Sequence, residues 1–132
     1  MSSDDGKKVF ENDRKYVFHS WSAQGQISPM SIEGAQGSYF WDYDGHRYLD
    51  FSGQLVFTNI GHQHPKVIEA IKKQADVLAT IAPQHANKAR NEAAERIVEL
   101  AGGHLAKVFF TNAGADGIEN AVRIARLHTG DR

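Results

Sequence analysis

The sequence KVFFTNAGADGIENAVRIARLHTG, residues 107–130, is the stretch that decides the fold. Its first part, Lys107–Thr111, contains three adjacent apolar residues, as expected of a strand covered on both faces of a parallel sheet. The glycine turn NAGADG follows, and a predicted helix then places four residues on one apolar face: Ile118, Ala121, Val122 and Ala125. Strand, glycine turn and helix form half of a βαβ unit, which indicates the α/β class.

The predicted helix is followed almost at once by Arg132, where the returning strand of a βαβ unit should begin. A strand covered on both faces cannot satisfy its backbone groups or bury its side chains without neighbouring strands. We therefore expect the chain to be the opening part of a larger α/β domain, incomplete as a stand-alone domain.

The turn between the predicted strand and helix, Thr111–Asp116, is a candidate anion site. Such a turn aims unpaired backbone N–H groups at one point, and the helix dipole favours an anion there. Gly114 would let a phosphate approach the backbone closely. An ordinary turn, with Asn112 capping the helix and Gly114 present for packing alone, explains the same residues. The turn lacks a Walker lysine and the first glycine of the dinucleotide fingerprint, which argues against ATP, GTP and NAD.

Upstream of this turn the pattern predicts two amphipathic helices. The first begins at Pro65, at a position where the missing proline N–H costs nothing, and ends before Pro83. The second begins near Asn87 and stops at Gly102-Gly103, a permissive C-terminal cap. Each helix carries one apolar stripe: Val67, Ile68, Ile71, Ala75 and Leu78 on the first, and Ala93, Ala94, Ile97, Val98 and Ala101 on the second.

The N-terminal part of the chain combines a helix with a small antiparallel sheet. Residues 7–22 place apolar side chains on one helical side among charges, which predicts a short amphipathic helix. Residues 31–52 are rich in aromatic side chains, and Asp44-Gly45 lies between two aromatic runs. This pattern predicts a hairpin with a type I′ turn, because that turn needs positive φ at both central residues.

The composition excludes several classes of protein. Among 132 residues, 15 lysines and arginines balance 16 aspartates and glutamates, and the net charge of −1 argues against a nucleic-acid platform or a polybasic membrane patch. Hydrophobic residues make up 41% and charged residues 23%, as in folded soluble proteins, and cysteine is absent. Because we find neither a signal peptide nor an apolar run long enough to span a membrane, we expect a cytoplasmic protein.

Two features leave more than one interpretation open. His62 and His64, in GHQHP, have a spacing that would suit a metal on a strand, but they lie in a predicted loop without a third ligand nearby. Hydrogen bonding within the loop is the alternative, and we expect no metal site. Trp21 enters an irregular segment, where its ring would either fill the core or line a pocket.

Four motifs, in order, resemble the N-terminal part of class III aminotransferases, which are pyridoxal-phosphate (PLP) enzymes of fold type I. The motifs are HSWSAQ (19–24), GSYFWDYDGHRYLDF (37–51), SGQLVFTNIGHQHPKVIEAI (52–71) and FFTNAGADGIENAVRIARLHTG (109–130). The first and third are most similar to the group that acts on taurine, ω-amino acids and simple amines with pyruvate as acceptor.

The resemblance implies a division of the chain into three parts. Residues 1–60 would hold the helix and antiparallel elements of the small domain, and residues 61–104 the connecting helices. Residues 105–132 would form the first strand and helix of the large, mainly parallel-sheet domain that binds PLP.

The resemblance also implies the residues of the site. Gly114 and Ala115 match the family's phosphate-binding pair, whose backbone N–H groups donate to the cofactor phosphate. Trp21, Leu55 and Val56 match positions that line the family's substrate pocket, where they would shape the space around the amine substituent and exclude water.

The residues around the phosphate-binding pair depart from the family pattern S-G-[AT]-E. Ala113 replaces the serine and removes a hydroxyl contact, and Asp116 replaces the glutamate, while the backbone donors stay. Gly117, where alanine is common, makes the first helical turn less stable by about 0.5–1 kcal/mol.

The implied function is transfer of an amino group from an amine or ω-amino acid to an α-keto acid such as pyruvate. This reaction needs a lysine that binds the cofactor covalently and a carboxylate on its pyridine nitrogen, and the family places both downstream of Arg132. We therefore expect no catalytic residue in this chain and no activity of the chain alone. Residues 81–87 lie where the family places a loop near the partner subunit's active site, which implies a homodimer.

Two alternatives to this function stay open. Another class III PLP reaction, such as that of an aminomutase, decarboxylase or racemase, would share the quoted motifs. The chain could instead be a non-catalytic fragment that binds a partner subunit. A substrate screen would separate the first alternative from the main prediction, and co-purification would separate the second.

Overall fold

The computed structural model describes residues 3–130, which divide between Ala79 and Thr80 into two compact units. The first unit holds a three-stranded antiparallel sheet in the order β1-β2-β3, with helices before and after it, and the second unit holds two helices. The elements are α1 (Asp4–Tyr16), β1 (Ile32–Gln36), β2 (Tyr39–Asp42), β3 (Arg47–Leu49), α2 (Gly53–Val56), α3 (Pro65–Val77), α4 (Lys88–Leu100) and α5 (Gly114–Thr129).

Helix α1 begins and ends earlier than the sequence pattern predicts. The Ser3 hydroxyl caps its N-terminus by accepting a hydrogen bond from the Gly6 N–H at 3.1 Å. At the other end Val17 is extended, with φ −102° and ψ 128°, so that the helix stops at Tyr16. The prediction of a helix over 7–22 is therefore wrong after Tyr16, because residues 17–22 lie in a loop.

The antiparallel sheet predicted over 31–52 is confirmed, but the type I′ turn is wrong. Asp42 and His46 face each other across the connection, and the Asp42 N–H donates to the His46 C=O at 3.2 Å. Gly45 has a positive φ of 79°, whereas Asp44 does not. The turn is thus a longer loop with glycine at its left-handed position, a common alternative to the two-residue turn.

Both helices predicted between 65 and 103 are confirmed. Pro65 occupies the first turn of α3. The Asn87 side chain caps α4 by accepting a hydrogen bond from the Arg90 N–H at 2.9 Å. Gly102 and Gly103 follow α4 with φ of 75° and 82°, the left-handed conformation that ends helices.

The strand predicted at Lys107–Thr111 is not present, whereas the helix predicted after it is confirmed as α5. The described part of the second unit contains no strand, so these residues have no neighbour with which to form a ladder. An apolar run reports the propensity for a strand, but the strand itself exists only as part of a sheet.

The apolar stripes of the helices are confirmed in spacing but not in burial. Within residues 3–130 no hydrophobic side chain is buried, and Val67, Ile71 and Leu78 of the α3 stripe are all exposed. Ile118 and Val122 of α5 are exposed as well. These faces therefore lack a packing partner in the described part of the chain. No helix that the structure describes has both the length and the apolarity to cross a membrane.

Candidate functional site

The predicted anion turn keeps its first amides free of protein partners. Helix α5 begins at Gly114, directly after Ala113, whose extended backbone (φ −152°) ends the preceding segment. The Gly117 N–H donates to the Ala113 C=O at 3.1 Å. Among residues 3–130, no oxygen accepts a hydrogen bond from the amides of Gly114, Ala115 or Asp116. Three donors at the positive end of a helix are thus available to a ligand.

The side chains around this turn leave the donors accessible. The alternative in which Asn112 caps the helix is wrong, because Ala113 is the N-cap residue and no side chain caps α5. A Cβ atom placed on Gly114 would meet no protein atom within 4 Å, so the backbone there faces open space. Free amides and an unobstructed approach are what a phosphate group needs at a helix N-terminus, and the site fits one. The acidic Asp116 side chain, in the first turn, opposes an anion.

Leu55 and Val56 lie on a strained turn that follows the sheet. Four consecutive residues of α2 have positive φ: 57° at Gly53, 48° at Gln54, 59° at Leu55 and 62° at Val56. This left-handed conformation costs an L-amino acid about 1–2 kcal/mol per residue. It turns both apolar side chains outward, and Leu55 is 86% and Val56 84% exposed.

Trp21 lies in the loop after α1, and the Gln24 side chain organises that loop. The φ of Trp21 is 61°, and its ring is fully exposed, so the core interpretation does not hold within the described residues. Gln24 Oε1 accepts a hydrogen bond from the His19 N–H at 3.1 Å, and Gln24 Nε2 donates to the carbonyls of His19 and Ser22. His19 Nε2 in turn donates to the Asp13 carboxylate of α1 at 2.7 Å. Sequence reasoning missed Gln24.

His62 and His64 have different surroundings and different hydrogen-bond partners. His62 Nε2 donates to Asp50 Oδ2 at 2.6 Å, and the Asp50 side chain is only 3% exposed. Desolvation raises the pKa of Asp50, but hydrogen bonds from His62 and Gln54 outweigh it and hold that pKa below its usual range. His64 immediately precedes α3, and its Nδ1 atom is buried without a partner in the described structure. Hydrogen bonding within the loop, the second interpretation, does not describe His62, because its side-chain and backbone partners, Asp50 and Gly37, lie outside the loop.

The sequence pattern did not identify Asp50 as a functional residue, because its partner His62 lies beyond the α2 turn. The GHQHP motif contains two imidazoles, and the sequence does not show which of them hydrogen-bonds to a carboxylate. The signal that could have found the pair is an Asp at the end of a strand followed, after a glycine-containing loop, by a histidine.

Asp42, Asp44 and His46 bring oxygen and nitrogen atoms within 4.8 Å of one another. Asp42 Oδ1 accepts from the N–H groups of Asp44 at 3.0 Å and of His46 at 2.9 Å, and Oδ2 accepts from the Tyr48 hydroxyl at 2.8 Å. Desolvation raises the pKa of Asp42, but these hydrogen bonds outweigh it and place the pKa at about 2. The same bonds account for the cluster as a support of the hairpin, and we assign no metal to it.

Comparison with known proteins gives these features a context. The family model "Aminotransferase class-III" matches residues 21–132. A solved structure of taurine:2-oxoglutarate aminotransferase from Bifidobacterium kashiwanohense, in complex with PLP and glutamate, is 43% identical with a TM-score of 0.91, over 98% of this chain and 29% of that one. An S-selective transaminase from Arthrobacter sp. with alanine bound is 35% identical with a TM-score of 0.86, over 94% of this chain and 28% of that one.

A curated relative shows the same partial coverage. The probable 4-aminobutyrate aminotransferase of Bacillus subtilis is 39% identical over 107 residues, which are 76% of this chain and 23% of that protein. The chain thus spans less than a third of the length of each of these three proteins. The agreement confirms the predicted fold class, the N-terminal part of a PLP-dependent transferase of fold type I, and the predicted resemblance to taurine and amine transaminases. Since the family model covers residues 21–132, the chain belongs to the class III aminotransferase family.

Proposed function

We propose that the chain serves as the N-terminal segment of a PLP-dependent aminotransferase that moves an amino group from an amine or ω-amino acid to an α-keto acid such as pyruvate. The observation that carries this proposal is the turn at Gly114, where the first amides of α5 have no protein acceptor among the described residues and face open space. Membership of the family makes a phosphate-bearing cofactor the ligand that fits these donors.

In this proposal the Gly114 and Ala115 amides donate to the phosphate of PLP, and the α5 dipole adds a favourable interaction with its charge. When bound, PLP would supply an electron sink that stabilises the negative charge developing on the amino-bearing carbon. The contribution of this segment is to hold the phosphate and so fix the position of the ring. We assign no catalytic residue to the chain, and we expect no turnover from it alone.

The same proposal gives Trp21, Leu55 and Val56 the task of forming the substrate pocket. All three are apolar or aromatic, all have positive φ, and all are exposed in the described structure. A pocket wall of this kind selects amine substituents by size and apolarity and keeps water from the reacting atoms. The family resemblance adds amines and ω-amino acids as the proposed donors.

We further propose a homodimer in which exposed apolar faces become covered. The α3 stripe and the α5 stripe are each uncovered among residues 3–130, and an exposed apolar helix face marks an interaction site. The loop at 81–87 is held by Arg90, which donates to the Pro83 C=O at 3.2 Å and to the His85 C=O. The loop is therefore ordered enough to meet a partner subunit. The division into residues 1–60, 61–104 and 105–132 belongs to this proposal too.

The direct test of the phosphate site removes one amide donor without breaking the helix. Ala115→Pro does this, because proline is tolerated in the first turn of a helix and has no N–H. In the protein expressed from its complete reading frame, we expect PLP affinity to fall at least about tenfold, as for loss of one hydrogen bond to a charged group. Affinity for pyridoxal, which lacks the phosphate, should change much less.

Gly117→Ala is the matched control, because it lies in the same helical turn and leaves the donors of Gly114 and Ala115 in place. Its added Cβ would meet only Thr111 Oγ1, at 3.6 Å, which is ordinary contact. Equal PLP affinity in Ala115→Pro and the unaltered protein would refute the phosphate assignment. A parallel assay with taurine, 4-aminobutyrate and a simple primary amine, with pyruvate as acceptor, tests the reaction itself through the alanine formed.

A further inference from the structure

The left-handed turn of α2 needs an explanation for why it is stable. Gln54, Leu55 and Val56 all have φ between 48° and 62°, a region that L-residues rarely occupy and that is least favourable for a β-branched side chain such as valine. Successive residues in this conformation persist only when the surrounding structure enforces it. The Val56 N–H donates to the Ser52 C=O at 3.2 Å, and the Gly53 C=O accepts from the N–H groups of Phe57 and of Thr58, the latter at 3.0 Å.

The Asp50 carboxylate joins this turn to the loop that follows it. Its Oδ1 atom accepts from the Gln54 N–H at 3.3 Å, at the start of the left-handed residues. Its Oδ2 atom accepts from His62 Nε2 at 2.6 Å, and the His62 side chain is 16% exposed against 3% for Asp50. One shielded carboxylate therefore holds both ends of the connection from β3 to His62.

Both members of the pair are anchored to the tight turn between β1 and β2. The Asp50 N–H donates to the Ser38 C=O at 2.9 Å. His62 and Gly37 exchange two backbone bonds, from Gly37 N to the His62 C=O at 3.0 Å and from His62 N to the Gly37 C=O at 2.7 Å. The sheet thus serves as a fixed base, from which the Asp50–His62 pair sets the conformation of the intervening chain.

We propose that Asp50 and His62 are a pair of positioning residues that hold the left-handed turn so that Leu55 and Val56 face the amine substituent, and that the pair thereby determines which donors fit. This inference rests on the proposed function. Neither residue touches substrate in this proposal; each acts through the turn. Loss of the His62 partner leaves a shielded carboxylate with one oxygen unsatisfied, which favours its movement toward water and away from the Gln54 N–H.

The test uses His62→Ala in the protein expressed from its complete reading frame, with His62→Gln as the conservative variant. Glutamine offers an N–H at about the reach of the imidazole Nε2 and should restore the bond to Asp50. The matched control is His46→Ala, which removes the imidazole of an exposed His–Asp pair, since His46 is 68% exposed and its Nδ1 atom lies 3.1 Å from Asp42 Oδ2.

The first readout is hydrogen exchange at the Val56 and Thr58 amides. We expect exchange to quicken about tenfold or more in His62→Ala, to return toward the original rate in His62→Gln, and to stay unchanged in His46→Ala. The amides that pair β1 with β2 serve as an internal reference for the fold. Unchanged exchange at Val56 and Thr58 in His62→Ala would overturn the proposal, and this readout needs no enzymatic activity.

The second readout is amino transfer with a small and a bulky amine. For the bulky amine we expect KM to rise about tenfold in His62→Ala with little change in kcat, because lost positioning removes uniform binding. PLP retention and KM for the small amine should stay near their original values. If exchange quickens in His62→Ala but KM for each amine stays as in the original protein, the pair has no role in specificity. Absence of amino transfer in the unaltered protein would refute the proposed function, while the exchange readout would still decide whether the pair holds the turn.

If His62→Ala does not fold, His62→Gln and Asp50→Ala together carry the decision. Original exchange rates and donor preference in that variant, with slower exchange than in an Asp50→Ala variant, support the pair. Quickened exchange at Val56 and Thr58 in His62→Gln, with the β1–β2 reference amides unchanged, contradicts it.

Discussion

The carboxamide of Gln24 is hydrogen-bonded to both backbone groups of His19: Oε1 accepts from the His19 N–H at 3.1 Å, and Nε2 donates to the His19 C=O. A side chain here does what a neighbouring strand does in a sheet, since it satisfies a donor and an acceptor of the same residue. Trp21 lies between the two residues with a φ of 61°. The conformation of the predicted pocket residue therefore depends on a side chain three positions along the chain.

Gln24→Ala should free the Trp21 loop. With both bonds to His19 removed, we expect the Trp21 indole to gain mobility and KM for aromatic amines to rise several-fold, about the effect of losing one or two net hydrogen bonds. NMR relaxation of the Trp21 indole N–H signal measures the mobility. Gln26→Ala is the control, because no described side-chain contact of Gln26 supports the loop. The same relaxation of this signal in Gln24→Ala and in the control would contradict the prediction.

The hairpin should lose the stabilising hydrogen bonds of the ionised Asp42 carboxylate only in strong acid. Because the pKa of Asp42 is lowered from 3.8 to about 2, its contribution to stability is complete above pH 3.8 and is lost as the pH falls toward 2. Tyr48→Phe removes the hydroxyl donor, so the pKa of Asp42 should rise toward 3.8 and the acid loss should begin at a higher pH. NMR titration of the Asp42 carboxyl carbon gives the pKa directly.

Tyr43→Phe is the control for that titration, because the Tyr43 hydroxyl has no described bond to Asp42. An Asp42 pKa that is the same in Tyr48→Phe as in the original protein would show that the tyrosine bond does not matter. The pKa of Tyr48 is itself raised, first because its hydroxyl donates to the Asp42 carboxylate, so the two titrations report one interaction.

Features fixed by adjacent residues could be predicted from the sequence, and features fixed by distant ones could not. The bounds of α4 follow from Asn87 and Gly102-Gly103, because caps act within one turn of the helix end. The prediction of a strand at Lys107–Thr111 was wrong, because a strand depends on neighbouring strands, which local propensity cannot supply. The predicted length of the hairpin loop was wrong for a similar reason. Hydrogen bonds from the Asp44 and His46 N–H groups to the Asp42 carboxylate set that length, and local propensity does not show them.

In the candidate site, too, the features set by adjacent residues could be predicted, and those set by distant residues could not. The free amides at Gly114 follow from a glycine turn at a helix start, which is a local pattern. The residues that shape the predicted pocket depend on pairs that span loops, such as Asp50 with His62. Sequence reasoning identified Leu55 and Val56 through the family resemblance alone, and nothing in their local pattern predicts a left-handed backbone.

Two glycines should respond in opposite ways to the same added methyl group. Gly61 has a φ of 83°, and a Cβ there would lie 3.1 Å from the Gly37 backbone oxygen, whereas Gly117 is helical and its Cβ would have room. We expect Gly61→Ala to lower the free energy of unfolding by at least about 1–2 kcal/mol, because the left-handed conformation and the backbone contact both oppose alanine. Gly117→Ala should raise it by about 0.5–1 kcal/mol through its helix propensity.

Urea unfolding of the protein expressed from its complete reading frame measures both effects on one scale. The bridge between Gly37 and His62 makes Gly61 the sensitive position, since a shift of its neighbour by a few tenths of an ångström would stretch the two bonds that anchor His62. Gly61→Ala should therefore also quicken exchange at Thr58, whereas Gly117→Ala should not. A Gly61→Ala variant as stable as the original protein would mean that this bridge is not the anchor of the loop.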